Sequence, residues 1–258
     1  MTAGGARVVF VGAGPGAADL ITLRGARAIA AAELVLWARS LVMEELVLAH
    51  AREDAELVDS APLTLEDQRR LYERALREGL RVARVHCGDP SIYSAVGEQI
   101  RVAEEIGLPY EIVPGVGSLG AAAAALGQEL TVPERAQSLI LTRRQDRSPM
   151  PRGERLQSLA EHRATMALFL SVGRIAELQD ELLAGGYPAE EPCAVVYRAS
   201  WPDELAVRCA LGELADRVGE AGIERQALVL IGPALGKAGT RSHLYDPKHG
   251  HRFREAVR

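Results

Sequence analysis

Gly88-Asp89-Pro90-Ser91-Ile92-Tyr93-Ser94, read together with Pro114-Gly115-Val116-Gly117-Ser118 and Arg198-Ala199-Ser200-Trp201-Pro202-Asp203-Glu204, decides the fold. Each stretch follows an apolar, β-branched run that reads as a buried strand: Arg81–Cys87, Tyr110–Val113 and Cys193–Tyr197. Each then breaks into small, turn-forming or polar residues. Loops at the carboxyl ends of strands are where open α/β sheets bind ligands. Three such loops therefore describe a ligand site as well as a scaffold.

Further strand candidates are Arg7–Val11, Leu34–Trp37, Ser138–Thr142, Thr165–Leu170 and Ala227–Ile231. Helical patterns alternate with them: Leu20–Ala32, Leu65–Glu78, Ala95–Glu105, Leu119–Leu126, Gly153–Ala160, Ile175–Ala184 and Leu211–Ala221. In the second of these, Leu65, Leu71 and Leu76 form an apolar stripe, with Asp67, Arg70, Glu73, Arg74 and Arg77 on the outer face. Strands alternating with helices predict an α/β fold. A Gly-rich segment at Pro114–Ser118, followed by the Ala-rich run Ala121–Ala125, marks a boundary. The expected organisation is an N-terminal α/β domain over 1–116 and a second over 117–240, with a ligand cleft between them and a tail over 241–258. The polar loop Arg143–Gly153 is expected to overhang that cleft, and the sequence from Lys237 onward to pack across the surface.

Composition narrows the function. With 258 residues the chain can bury a large core, and 48% hydrophobic with 25% charged residues is ordinary for a soluble protein. A net charge of −5 offers no basic field for nucleic acid or an anionic membrane. Lysine is confined to Lys237 and Lys248, so arginine, the better bidentate partner of carboxylates, supplies almost all positive charge. Cys87, Cys193 and Cys209 fit no zinc or redox spacing and read as buried thiols in a reducing compartment. No run reaches the ~20 apolar residues of a membrane helix, and the N-terminus lacks the pattern of a signal peptide, so a cytoplasmic protein is expected.

Gly12-Ala13-Gly14-Pro15-Gly16 follows the first strand, but it is not the G-x-G-x-x-G dinucleotide fingerprint. Its third glycine falls too early, and Pro15 removes an amide that a phosphate cradle would use. A nicotinamide dehydrogenase is disfavoured on that ground. The ordered set of loops instead resembles the tetrapyrrole methylase family, the S-adenosylmethionine-dependent enzymes of corrin and sirohaem synthesis. Val11–Leu23 looks like the family's opening V-G-A-G-P-G-x-x-D-L-x-T-L, Gly88-Asp89-Pro90 its G-D-P loop, and Pro114–Gly127 its P-G-V-x-S segment with an Ala-rich helix. Leu168–Gly173 takes the place of its Tyr-Met-Gly-like strand end. Ser40–Val42, Ile140–Arg143, Ala167–Ser171, Val195–Glu204 and Leu244–Pro247 are similar to the branch that acts on carbon 11 of precorrin-4 or cobalt-precorrin-4. The uroporphyrinogen branch is less similar. Its Tyr-Asp-Arg segment is Trp37-Ala38-Arg39 here, and the lysine paired with that aspartate has no counterpart.

The resemblance implies S-adenosyl-L-methionine as methyl donor, no metal, a tetrapyrrole substrate and a homodimer. Carried over by position, Pro15, Gly88, Asp89, Ile92, Gly117, Ser118, Leu170, Ala199, Ala227 and Leu228 line the cofactor pocket. Leu170 replaces a methionine common there, and Gly117 a frequent serine or threonine, leaving Ser118 as the hydroxyl of that turn. Each has a plainer reading: Asp89 as a turn and N-cap residue, Gly115 and Gly117 as positions that permit positive φ, Ala227 and Leu228 as strand core. A polycarboxylate substrate calls for cations, and Arg39, Arg143, Arg144 and above all Arg198 lie in or beside the loops, a solvated surface role being the alternative for each. Trp201 either stacks near the macrocycle or braces its loop, and bracing is the preferred reading. His86 reads as a buried imidazole, and His243, His249 and His251 as solvated tail residues rather than metal ligands. No residue stands out as the catalytic base. The rival expectations are a corrin methylase acting at another ring carbon and a non-catalytic tetrapyrrole-binding module.

Overall fold

A computed structural model of the chain describes residues 5–236 and 242–256. Two compact units emerge, one comprising Met1–Ala121 with Ala199–Asp203, the other Ala122–Arg198 with Glu204–Arg258.

The first unit is built on a parallel sheet of β1 (Arg7–Gly12), β2 (Leu34–Trp37), β3 (Glu56–Asp59), β4 (Arg81–His86) and β5 (Tyr110–Val113), in the order β3-β2-β4-β1-β5. The central strands are buried on both faces, which is why they read as continuous apolar runs rather than alternating ones. Val9, Val11, Val35, Trp37 and Val85 point to one face, where they meet Ile29 of α1 (Leu23–Ala31) and Leu46 and Val47 of α2 (Glu44–His50). Val8, Phe10, Leu34, Leu36 and Val82 point to the other, against Tyr72 and Ala75 of α3 (Leu65–Glu78) and Val102 and Ala103 of α4 (Val96–Glu105). Capping sets the helix starts. The Thr22 hydroxyl accepts from the Gly25 N–H at 3.0 Å, and Thr64 and Asp67 form a reciprocal capping box.

The second unit carries a mixed sheet of β6 (Leu139–Arg143), β7 (Thr165–Phe169), β8 (Pro192–Tyr197), β9 (Leu205–Ala210) and β10 (Ala227–Ile231), ordered β6-β7-β10-β8-β9. Only β6 and β7 run parallel; β10 is antiparallel to both of its neighbours, and β9 to β8. After α5 (Ser118–Ala125), helices α6 (Leu156–Ala160), α7 (Ile175–Ala184) and α8 (Leu214–Glu220) bury Leu156, Leu178, Leu182, Leu214 and Val218 against one face of the sheet. Ala199–Asp203 joins β8 to β9 yet counts with the first unit. In the tail, Arg254 donates to the carbonyls of Leu244, Asp246 and His249, knotting that segment on itself; Lys237 lies outside the described residues. Among the described residues no helix is long and apolar enough to cross a membrane, and no three His, Cys, Asp or Glu side chains gather to hold a metal ion.

Candidate active site

In the first unit the ends of β1, β4 and β5 meet backbone to backbone. The Ala13 N–H donates to the His86 carbonyl at 2.8 Å, and Gly14 and Gly88 exchange a pair of bonds at 3.2 and 2.7 Å. A Cβ on Gly115 would lie 2.2 Å from the Gly88 oxygen and 2.8 Å from the Gly12 Cα, so no larger residue fits there. Asp89 fastens the same junction. Its Oδ2 accepts from the Gly115 N–H at 2.8 Å, and its Oδ1 from the Ser91 N–H and hydroxyl. Burial, the largest single influence, pushes this carboxyl up, but the bonds from Ser91 and Gly115 together outweigh it and hold it below its ordinary value. Asp89 is therefore an anion, and one that braces its loop.

The segment Ala199–Asp203 closes onto the first loop. The Ala17 N–H donates to the Ser200 hydroxyl at 3.0 Å, and the Trp201 indole N–H to the Pro15 carbonyl at 2.9 Å. Gly16 is required by the same contact, since a Cβ there would come within 2.2 Å of the indole. Trp201 thus braces. Arg39, at the end of β2, lies over the Trp37 ring and pairs with Glu44 at 3.0 Å, while its N–H donates to Asp59. Around this junction the backbone stays open: nothing lies within 4 Å of a Cβ built on Gly117, and the nearest atom to one on Gly88 is 3.7 Å away. Ile92 and Tyr93 are exposed and Ser118 opens α5.

In the second unit Leu170, at the end of β7, is 72% exposed and held at φ 52°. The adjoining Ser171 hydroxyl accepts from the Arg144 N–H at 2.8 Å and donates to the Phe169 carbonyl at 2.7 Å. Two of the predicted substrate arginines are committed to the structure. Arg143 donates to the carbonyls of Arg144, Ser148 and Pro149, shaping its own loop, and Arg144 pairs with Glu181 of α7 at 2.8 Å. Arg198 follows β8 at φ 45°, its N–H bonded to the Gln226 carbonyl and its guanidinium over the Tyr197 ring. Ala227 and Leu228 pair with Tyr197 and Val196 in the β10–β8 ladder. Sequence reasoning passed over Arg147, Arg155 and Arg174, which line two adjoining cavities of about 280 and 480 Å³. The signal was there in the arginine-rich run from 143 to 155.

Behind the β4 loop lies a buried polar group without a carboxylate. Arg84, 8% exposed, donates to the Gln99 side-chain oxygen at 2.9 Å and to the Val85 carbonyl at 3.1 Å. The neighbouring His86 is pushed down to about 3, first by burial and then by the Arg84 charge, and its Nε2 has no hydrogen-bond partner. At neutral pH it is an uncharged core imidazole.

A family model described as tetrapyrrole (corrin/porphyrin) methylases matches residues 7–215. The chain belongs to that family. Among methylases, it is 49% identical over 248 residues to a precorrin-4 C(11)-methyltransferase of Pseudomonas aeruginosa, covering 96% of this chain and 98% of the relative. The X-ray structure of a cobalt-precorrin-4 methyltransferase, a cobalamin biosynthetic enzyme, superposes with a TM-score of 0.86 at 42% identity, over 89% of this chain and 96% of that one. A uroporphyrin-III C-methyltransferase from Thermus thermophilus, complexed with S-adenosylhomocysteine, gives 0.74 at 33% identity, over 88% and 98%. The loop ends of this methylase suit a ligand held through backbone contacts. The space beside Gly88 and Gly117 is what a Cβ would fill, and Asp89 is paired with no cation among the described residues.

Proposed function

We propose that the chain transfers a methyl group from S-adenosyl-L-methionine to carbon 11 of precorrin-4 or cobalt-precorrin-4 in the assembly of the corrin ring of cobalamin. The observation that carries this reading is the 49% identity, across nearly the whole of both chains, to a relative named for that reaction. The donor supplies an activated methyl on a sulfonium. What is left to the chain is to hold a ring carbon in line with it at near-attack distance and to exclude water.

Pro15, Gly88, Asp89, Ile92, Gly117, Ser118 and Ala199 are proposed as cofactor-binding residues in the first unit, with Leu170, Ala227 and Leu228 in the second. The open backbone beside Gly88 and Gly117 admits close approach, Asp89 and Ser118 offer polar contacts, and the exposed Leu170 supplies an apolar surface. Arg198 stays a candidate for a substrate carboxylate, whereas Arg143 and Arg144 serve the loop they belong to. The family resemblance further suggests a cytoplasmic homodimer without a metal cofactor.

Mass spectrometry after incubation with S-adenosyl-L-methionine and either metal-free or cobalt-loaded precorrin-4 tests the reading. One added methyl at carbon 11 is expected, and the better substrate of the two identifies the pathway branch. A methyl at another ring carbon, or donor binding with no transfer to either substrate, overturns it.

A further inference from the structure

The two adjoining cavities of the second unit share Arg144, Asp146 and Arg174, and the first of them is also lined by Leu170. In a chain of net charge −5 this is an unusual concentration of positive charge: Arg144, Arg147, Arg155 and Arg174 against Asp146 and Glu181. The acids are already taken. Glu181 holds Arg144 at 2.8 Å, and Arg174 lies 2.7 Å from Glu177 and 3.9 Å from Asp146. Among the described residues no side-chain hydrogen bond or ion pair engages Arg147 or Arg155, and both are exposed.

Their setting is shaped. Arg143 donates to the carbonyls of Ser148 and Pro149, fixing the turn that carries Arg147. The Arg144 N–H ties the same loop to Ser171, next to Leu170. A surface arginine on a mobile side chain is normally solvated and contributes little. Two unpaired guanidiniums at the walls of neighbouring cavities, Arg147 on a loop held by its own hydrogen bonds and Arg155 at the start of α6, are placed to receive carboxylates in bidentate fashion.

We propose that Arg147 and Arg155 are the carboxylate receptors of the second unit, taking acidic side chains of the tetrapyrrole substrate, while Arg143 and Arg144 hold the loop that presents Arg147. This rests on the methylase reading above. It assigns to two residues a recognition role that adjacency to a strand end had suggested for their neighbours.

The test uses an octacarboxylate porphyrin as the binding probe, followed by its own fluorescence, with the tetracarboxylate porphyrin for comparison. Arg147→Gln and Arg155→Gln are each expected to weaken the octacarboxylate about tenfold, and the pair about a hundredfold. The loss should be smaller for the tetracarboxylate, and Arg→Lys at either site should restore part of it. Binding should also become less sensitive to salt. S-adenosylhomocysteine affinity should stay within about twofold, and the KM for precorrin-4 should rise with kcat held. Arg101→Gln on α4, with the same charge change, should leave all of these unaltered. Wild-type porphyrin affinity and KM in the double variant would overturn the receptor assignment and leave the methylase reading standing. A wild-type protein that binds S-adenosylhomocysteine but no tetrapyrrole, and transfers no methyl, would overturn both.

Discussion

Lowering the pH from 7.5 to 5 should remove about 2 kcal/mol of folding stability through His86 alone. The imidazole is 6% exposed at the end of β4, lies tilted beside the Phe10 ring with centroids 6.1 Å apart and has the buried Arg84 charge beside it. Burial, and then that charge, bring it from 6.5 down to about 3 in the native state. The sign follows from linkage. Between these two values the unfolded chain binds a proton that the native chain does not, so the stability is complete above 6.5 and drains as the pH falls toward 3. At pH 5 the unfolded imidazole is about 30-fold more protonated than not, which amounts to about 2 kcal/mol. Glu33 does not confuse the measurement. The Arg81 hydrogen bonds, foremost among its influences, lower that carboxyl from 4.5 to about 2, so its contribution is present above 4.5 and is lost only at lower pH. Urea unfolding followed by tryptophan fluorescence reads the right unit, because Trp37 and Trp201 are the chain's two tryptophans and both belong to the first. His86→Leu should abolish most of the pH-dependent loss. It should cost little at pH 7.5, since it removes a buried Nε2 that has no partner. Equal losses in wild type and variant between pH 7.5 and 5 would refute the reasoning.

Gly115→Ala and Gly117→Ala should separate packing from binding. The first forces a methyl onto two backbone segments and should cost about 2–3 kcal/mol in urea unfolding. The second meets open space and should leave stability within about 0.5 kcal/mol while weakening S-adenosylhomocysteine at least tenfold by calorimetry. Trp201→Phe removes the bond to the Pro15 carbonyl, and about 1 kcal/mol with it; the loosened loop should show as a larger loss in cofactor affinity than in unfolding free energy.

What could be read from the chain depended on how strongly burial marks each segment. The inner strands of the first sheet, such as Val8-Val9-Phe10-Val11 in β1, are enclosed on both faces and announce themselves as apolar runs. The strands passed over, β3 and β9, are both edges of their sheets. Glu56 and Asp59 bracket β3, and Leu205 and Arg208 of β9 are exposed, so neither carries a clean pattern. The short α2, at seven residues, offers too few turns for a period to show. At the site, glycines and the Asp89-Pro90 turn were legible as loop chemistry, but their partners were not. Nothing local says that Gly16 must be bare because of an indole at Trp201, or that Arg144 is neutralised by Glu181, 37 residues away. Choosing among arginines required knowing which acids were already taken.

Backbone strain falls mostly on or beside the candidate loops. Among the described residues, Tyr93, Ala95, Leu170, Arg198 and Ser200 combine an ordinary side chain with a positive φ on the candidate loops, against Glu134, Arg163 and Gln226 elsewhere. Each such residue costs on the order of 1 kcal/mol relative to a relaxed backbone, and glycine would relieve it. Glycine is abundant in these same loops, at Gly14, Gly88 and Gly117. Where Leu170 and Arg198 stand instead, the side chain itself must be worth more than the relief. Leu170 is 72% exposed, so packing within the fold does not explain it. Under the function proposed above, a ligand that meets an apolar surface at the end of β7 does. On that same function, Gly88 and Gly117 leave backbone open to a ligand in the first unit, and the strain at Leu170 is the cost of presenting an apolar side chain to one in the second.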